Sequence, residues 1–188
     1  MLMDELEQRA KEALSERRFN HSLCVRKRCG ELAKIYGINV ETAQKVGMVH
    51  DIAKEIPDEE KFEYIKNHNV EIDEIEKANT GLLHAKIGAN IAKEEFGFNE
   101  EMVDAIKYHT TAKENMCMLT KILFVADATG EDRSWTDLEK VRKISETDID
   151  KAIIYILELN IKKNIEQKKL IHPDSILARN YLYMQKIL

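Results

Sequence analysis

The segment Met48-Val49-His50-Asp51-Ile52-Ala53-Lys54 sets an imidazole beside a carboxylate among apolar neighbours, so both polar groups are carried inward. Buried polar groups need partners. A neutral histidine nitrogen next to an aspartate oxygen suits a divalent ion of the Zn, Fe or Mn type, because the two together hold such an ion and leave room for water. Lys54 follows His50 by four residues. On a helix that spacing returns it to the same face, where a cation would hold an anionic substrate beside the metal. A His-Asp pair taken alone reads more readily as a hydrogen bond in a core, so the wider pattern has to decide.

Of the six histidines, four (His21, His50, His84 and His109) lie within or at the end of apolar segments with helical spacing. Asp127 is the only charged residue after Lys121 in the run Met118 to Ala128, and a carboxylate there requires a metal or a strong hydrogen-bonding partner. With Asp51 these make six ligand-type side chains on five helical segments. A shared metal centre explains the set better than six separate core hydrogen bonds. Mixed nitrogen and oxygen ligation with open positions favours Fe or Mn, and Zn is compatible with it. His68, in Asn-His-Asn, reads as a solvated loop residue, and Met116, Cys117 and Met118 as core packing.

The elements that must position these residues are helical. Leu2, Leu6, Ala10 and Leu14 predict an amphipathic helix ending near Arg17 or Arg18; Asn20 would cap a second, from about His21 to Tyr36, with Leu23, Cys24, Leu32, Ala33 and Ile35 as core positions and Gly37 as its stop. Asn39 would cap a third that runs into His50-Asp51, and Asp58 opens a short one through Phe62 and Ile65 to about Asn67. Residues 70–80 read as a short helix or surface excursion. Gly81 to Phe96 is a clearer helix closed by Gly97, Asn99 caps the next, which delivers His109, and Met118 to Ala128 reads as a central helix. After a charged stretch over 130–147, a long helix is predicted from Asp148 to about Lys168, and a last one after His172-Pro173 through Ile176, Leu177, Tyr181 and Leu182.

Composition agrees. The 188 residues suit one domain, and 7 Gly with 2 Pro argue against a loop-rich β fold, so the expected class is all-α. The net charge is -5 with no basic block, which gives nucleic-acid binding no electrostatic support. The longest apolar runs are too short to span a bilayer, and the acidic N-terminus is unlike a signal peptide. Cys24, Cys29 and Cys117 show no Cys-x-x-Cys pairing, as expected of reduced thiols. A cytoplasmic protein is expected, with no membrane partner. An apolar face on the last two helices would be the place for a homodimer contact.

Several segments carry a family resemblance: Arg18-Phe19-Asn20-His21-Ser22, His50-Asp51-Ile52-Ala53-Lys54, Leu83-His84 with Gly88-Ala89, His109-Thr110-Thr111, Ala126-Asp127 with Arg133, and His172-Pro173 with Ala178-Arg179-Asn180. In this order they resemble the HD-domain metal-dependent phosphohydrolases, and within them the YqeK family of symmetrical dinucleoside-tetraphosphate hydrolases. The resemblance covers nearly the whole chain. Two departures stand out: the family usually has Gly after His-Thr-Thr, where this chain has Ala112, and an Ile-Glu-Pro-type segment where it has Thr129-Gly130-Glu131. Both touch substrate-side loops and leave the metal ligands intact.

The resemblance implies a single HD-type helical bundle over 1–188, with metal-binding helices at about 18–130 and C-terminal helices at about 148–188 packed on them. It implies that His21, His50, Asp51 and Asp127 hold one metal, iron first, and His84 and His109 a second, with Asp51 bridging ions about 3.5 to 4 Å apart. A hydroxide shared by the ions would attack the middle of a four-phosphate bridge, with diadenosine tetraphosphate (Ap4A) as substrate and two ADP as products. Asp51, Lys54 and Arg133 take catalytic roles in this reading. Arg18, Asn20, Lys54, Thr110, Thr111, Arg133, His172, Arg179 and Asn180 are the candidate substrate contacts. A phosphohydrolase of mononucleotides or other phosphate esters, and a non-catalytic nucleotide-sensing module, are the alternatives.

Overall fold

The computed structural model describes residues 1–187, and residue 188, the end of the expected C-terminal helix, lies outside the described residues. The described chain is helical, with no strand: α1 (Met3–Ala13), α2 (Glu16–Tyr36), α3 (Val40–Val49), α4 (Asp58–Asn67), α5 (Glu74–Ala78), a 3-10 turn (Thr80–Leu82), α6 (Leu83–Glu94), α7 (Glu100–Lys107), α8 (Met118–Thr129), α9 (Leu138–Ser145), α10 (Ile149–Glu166) and α11 (Pro173–Ile187). No described helix is long and apolar enough to cross a membrane.

The all-α expectation holds, and α8 is central as predicted. Leu119, Ile122, Leu123, Val125 and Ala126 are buried, and α2, α3, α7, α9 and α10 pack around the helix that carries them. Asn39 and Asn99 cap α3 and α7, accepting from Thr42 N at 2.8 Å and Met102 N at 3.0 Å. Gly37 is the C-cap of α2 at φ 68°, in the left-handed region open to glycine, whereas α6 ends at Glu94 with Glu95 as its C-cap, before Phe96 and Gly97.

Four expectations are corrected. The first helix ends at Ala13, and α2 starts five residues before His21 because Ser15, not Asn20, caps it by accepting from Arg18 N at 3.4 Å. Asn20 is therefore an exposed residue inside α2, and His21 lies in its second turn instead of at its mouth. Ile35, expected as a core position of the second helix, is exposed, whereas Val25 and Cys29 supply the buried face of α2. Finally, α3 stops at Val49: His50 is its C-cap, and Asp51 to Lys54 form turns closed by Ile52 N→Val49 O at 3.0 Å and Lys54 N→Asp51 O at 2.8 Å. Lys54 thus reaches the site from a turn, not from a helix face.

The closest helix pairing that the site depends on is α2 against α3. A Cβ on Gly47 would stand 3.0 Å from the Arg26 Cα and 3.0 Å from the Cys29 sulfur. Only glycine permits that approach without a shift of backbone. Gly47→Ala gains about 1 kcal/mol of helix propensity. The collision with Arg26 backbone, which cannot swing aside like a side-chain tip, outweighs it by an overpacking cost of about 1–3 kcal/mol. The variant is expected to have a lower urea midpoint than the parent, and an unchanged or raised midpoint would show that the helices separate freely.

Candidate metal centre

Five elements deliver the polar groups to one place. His21 comes from α2, His50 and Asp51 from the end of α3, His84 from the first turn of α6, His109 from just beyond α7, and Asp127 from α8. Apart from half-buried Asp127, each is at most 4% exposed. The four imidazoles stand edge to face in a chain, with ring centroids at 5.3 Å for His21–His50, 5.1 Å for His50–His109 and 5.1 Å for His84–His109.

Every ring is oriented by its Nδ1. His50, His84 and His109 donate Nδ1–H to the carbonyl oxygen three residues earlier, Gly47 at 2.9 Å, Gly81 at 2.6 Å and Ile106 at 2.7 Å, and His21 donates to Asp132 Oδ2 at 2.8 Å. A carbonyl can only accept, so the proton is on Nδ1 and the Nε2 lone pair faces the centre. There it meets more acceptors. His84 Nε2 is 3.2 Å from His109 Nε2, and the two lie 3.1 and 3.6 Å from Asp51 Oδ1. Asp51 Oδ2 lies 3.5 Å from His50 Nε2 and 3.9 Å from His21 Nε2, while Asp127 Oδ1 is 3.0 Å from His21 Nε2 and 3.9 Å from His50 Nε2.

The two oxygens of Asp51 therefore divide the centre into a His21–His50–Asp127 side and a His84–His109 side. His50 Nε2 is fully buried and has no hydrogen-bond partner among the described residues. Such an atom costs free energy unless something accepts its lone pair. Neutral nitrogens and carboxylate oxygens within 4.8 Å of one another, as in His21–His50–Asp127 and His50–Asp51–His109, suit a divalent cation.

Electrostatics prepares the same donor set. Burial pushes the imidazoliums of His50 and His84 down to about 4, so both rings are neutral near pH 7. Burial alone would raise Asp51 and Asp127, but the histidines around them, and Arg133 beside Asp127, hold both carboxyls well below the usual range. Neutral imidazole and ionised carboxylate are the forms that bind metal.

Three of the expected cations come to the centre. Arg18 Nη1 pairs with Asp51 Oδ2 at 2.8 Å; Arg133 pairs with the Asp127 carboxylate and donates Nε–H to its backbone oxygen at 2.7 Å; Lys54 Nζ sits 3.2 Å from His84 Nε2, its ammonium pushed down by burial. Arg18, expected to touch substrate, is thus engaged with a metal-ligand candidate. Asn20 lines a hollow with Arg17, His21 and Arg133, and Thr110, Thr111 and His172 line another. His172 is tied to Asp73 Oδ2 at 2.8 Å. Arg179 and Asn180 are not brought to the centre: Arg179 binds Glu158 at 2.6 Å, and both line an apolar groove between α10 and α11. Asp132, which orients His21, had no signal in the sequence because the contact closes across the chain from a connection that carries no helical pattern.

The pKa shifts fix how the metal-stripped protein responds to acid. His50 and His84 protonate at about 6.5 when unfolded and only near 4 when folded. The unfolded state therefore binds more protons below pH 6.5, and stability falls as pH drops from there toward 4, by about 1.4 kcal/mol per pH unit for each histidine. The depressed Asp51 and Asp127 act in the same direction at lower pH. Melting curves in chelator from pH 8 to 4 should show this decline, and His50→Gln should make it shallower; a flat profile above pH 4 would contradict neutral burial.

The HD domain model matches residues 18–132, which contain all six ligand candidates. A protein of Halalkalibacterium halodurans named symmetrical bis(5'-nucleosyl)-tetraphosphatase is 33% identical over 180 residues, covering 95% of this chain and 96% of the relative. One of the same name from Bacillus subtilis is 31% identical over 173 residues, covering 92% of each. A crystal structure from Clostridium acetobutylicum, described as a predicted HD superfamily hydrolase involved in NAD metabolism, superimposes with a TM-score of 0.94 at 33% identity and covers 98% of both chains. With a motif match over more than half its length and relatives this similar from end to end, the chain belongs to the HD-domain family.

Proposed function

We propose that this protein is a metal-dependent hydrolase that cleaves diadenosine tetraphosphate (Ap4A) symmetrically to two ADP. In this reading His21, His50, Asp51 and Asp127 would hold one divalent ion and His84 and His109 a second, with Asp51 common to both sets; iron is our first choice of ion, ahead of manganese and zinc. The observation that carries it is the division of Asp51: one oxygen faces His84 and His109, the other His50 and His21. The names borne by the relatives support the substrate and the symmetrical cut.

Ions bound there lower the pKa of water toward neutrality and offset charge that builds on phosphoryl oxygens. The protein's own groups do the rest. Attack by water on one inner phosphorus forms a P–O bond and breaks its bond to the oxygen that bridges the two inner phosphorus atoms, so that ADP departs on each side and the proton of water passes to solvent. Arg133, at the mouth between Asp127 and the solvent, and Lys54, beside His84, neutralise the departing diphosphate. The Gly47, Gly81 and Ile106 carbonyls and Asp132 keep the imidazoles from rotating during the reaction.

Incubation with Ap4A and separation of the products should yield ADP alone; AMP with ATP would mean an asymmetric cut and overturn the assignment. Asp132→Asn, which takes the charge from the His21 hydrogen bond, should weaken metal affinity about 10–100-fold. Competition against a fluorescent chelator measures this, and an unaltered affinity would remove His21 from the ligand set.

A further inference from the structure

Two hollows flank the metal centre, and α10 is the wall they share. One, of about 520 Å3, lies between the α8–α9 connection and α10, with Asp127, Arg133, Trp135, Ile156 and Leu159 among its walls. The other, of about 240 Å3, is bounded by Thr110, Thr111 and His172. Asn160 and Lys163, one turn apart on α10, line both. Neither side chain has a hydrogen-bond or ion-pair partner among the described residues. Lys169 lines the smaller hollow as well, so two lysines face it.

The larger hollow has the chemistry of a base subsite. Trp135 is the only tryptophan of the chain, and its Nε1–H donates to the Ala128 carbonyl at 2.9 Å, which fixes the indole in place. A fixed aromatic with aliphatic walls from Ile156 and Leu159 receives a planar heteroaromatic ring at little entropic cost, and stacking of this kind tolerates any base. Two cations line it: Arg133, paired with Asp127 of the metal centre, and Lys163, which the two hollows share.

We propose that the hollow between Trp135 and α10 binds one nucleoside end of the substrate, with its base against Trp135, and that Lys163 and Asn160 hold the phosphate chain where it passes toward the second hollow. This rests on the dinucleotide reading above for the identity of the substrate. It adds a base platform and a phosphate contact, neither of which serves the metal.

The lone tryptophan makes the test direct. In the full-length zinc-loaded protein, ADP should quench or shift Trp135 emission saturably, whereas inorganic diphosphate should leave it unmoved. Lys163→Ala should raise the KM for Ap4A by about 10-fold or more, the scale of a lost charge-assisted phosphate contact, with a smaller change in kcat. Trp135→Ala should weaken ADP binding by about 10-fold, while Trp135→Phe, which keeps a ring, stays within about threefold of the parent. The emission measurement uses unaltered protein, so it stands even if Trp135→Ala disturbs the loop. ADP binding seen by calorimetry without any change in emission, or equal quenching by diphosphate, would overturn the platform; an unchanged KM in Lys163→Ala would overturn the phosphate contact. Quenching by ADP in a protein that leaves Ap4A intact would sink the proposed activity and keep the subsite, and Ap4A turnover with silent emission would do the reverse.

Discussion

The buried carboxylate of Asp51 is the constraint from which the rest of the structure follows. An anion taken out of water carries a penalty of several kcal/mol unless it is closely paired. At 3% exposure Asp51 meets a single guanidinium, that of Arg18, and otherwise the Nε2 lone pairs of four imidazoles. Acceptors facing acceptors repel, and among the described residues Lys54 is the donor that reaches the His84 side. Such a cluster is stable as part of a site that takes positive charge, which is why the same residues that look costly in a core are well chosen for metal.

Helix ends solve the problem of orientation. The last carbonyls of an α-helix lack intrahelical partners. Gly47 lies in the last turn of α3 and Ile106 in the last turn of α7, so their oxygens can accept from His50 and His109, which stand just past those ends, the Ile106 oxygen also taking the His109 N–H at 3.5 Å. Gly81, in the 3-10 turn before α6, serves His84 in the same way. His21 is the exception because it sits inside α2, where the preceding carbonyls are already engaged in the helix. It needs an acceptor from elsewhere, and Asp132 on the α8–α9 connection supplies it. One principle thus accounts for three backbone acceptors and for the single side chain.

Much of this was legible in the residues themselves. A histidine or aspartate on an apolar face is conspicuous, and asparagine and glycine mark helix ends by known chemistry, so the residues that converge and the boundaries at Asn39, Asn99 and Gly37 could be read directly. What failed has physical causes. Ser15 and Asn20 are both good caps, and only the packing of the chain before His21 decides between them. The turns at Asp51 to Lys54 look helical by spacing because a run of turns places side chains much as a helix does. Arg179 and Asn180 were tied to the site by resemblance alone, and the Glu158 pair holds Arg179 on the far side of α10. Ala112, where the family usually has glycine, adopts φ 59° and is buried. A side chain in that region costs about 1–2 kcal/mol, which explains why glycine suits the turn after His109 and why alanine persists only where packing holds it.

The charge balance of the whole molecule bears on how a polyanion would approach. A net charge of -5 repels it at a distance, but at physiological ionic strength charges more than about 8 Å away are largely screened, so the local balance decides. At the centre, Arg18 and Arg133 are already committed to Asp51 and Asp127, and Lys54 carries an ammonium weakened by burial. The protein's own side chains therefore bring the site close to neutrality without making it attractive to phosphate. Divalent ions supply the missing attraction where the reaction occurs. In the subsite proposed above, Lys163 would supply it along the flank, apart from the reacting phosphorus, so that gripping the substrate and cutting it fall to different groups.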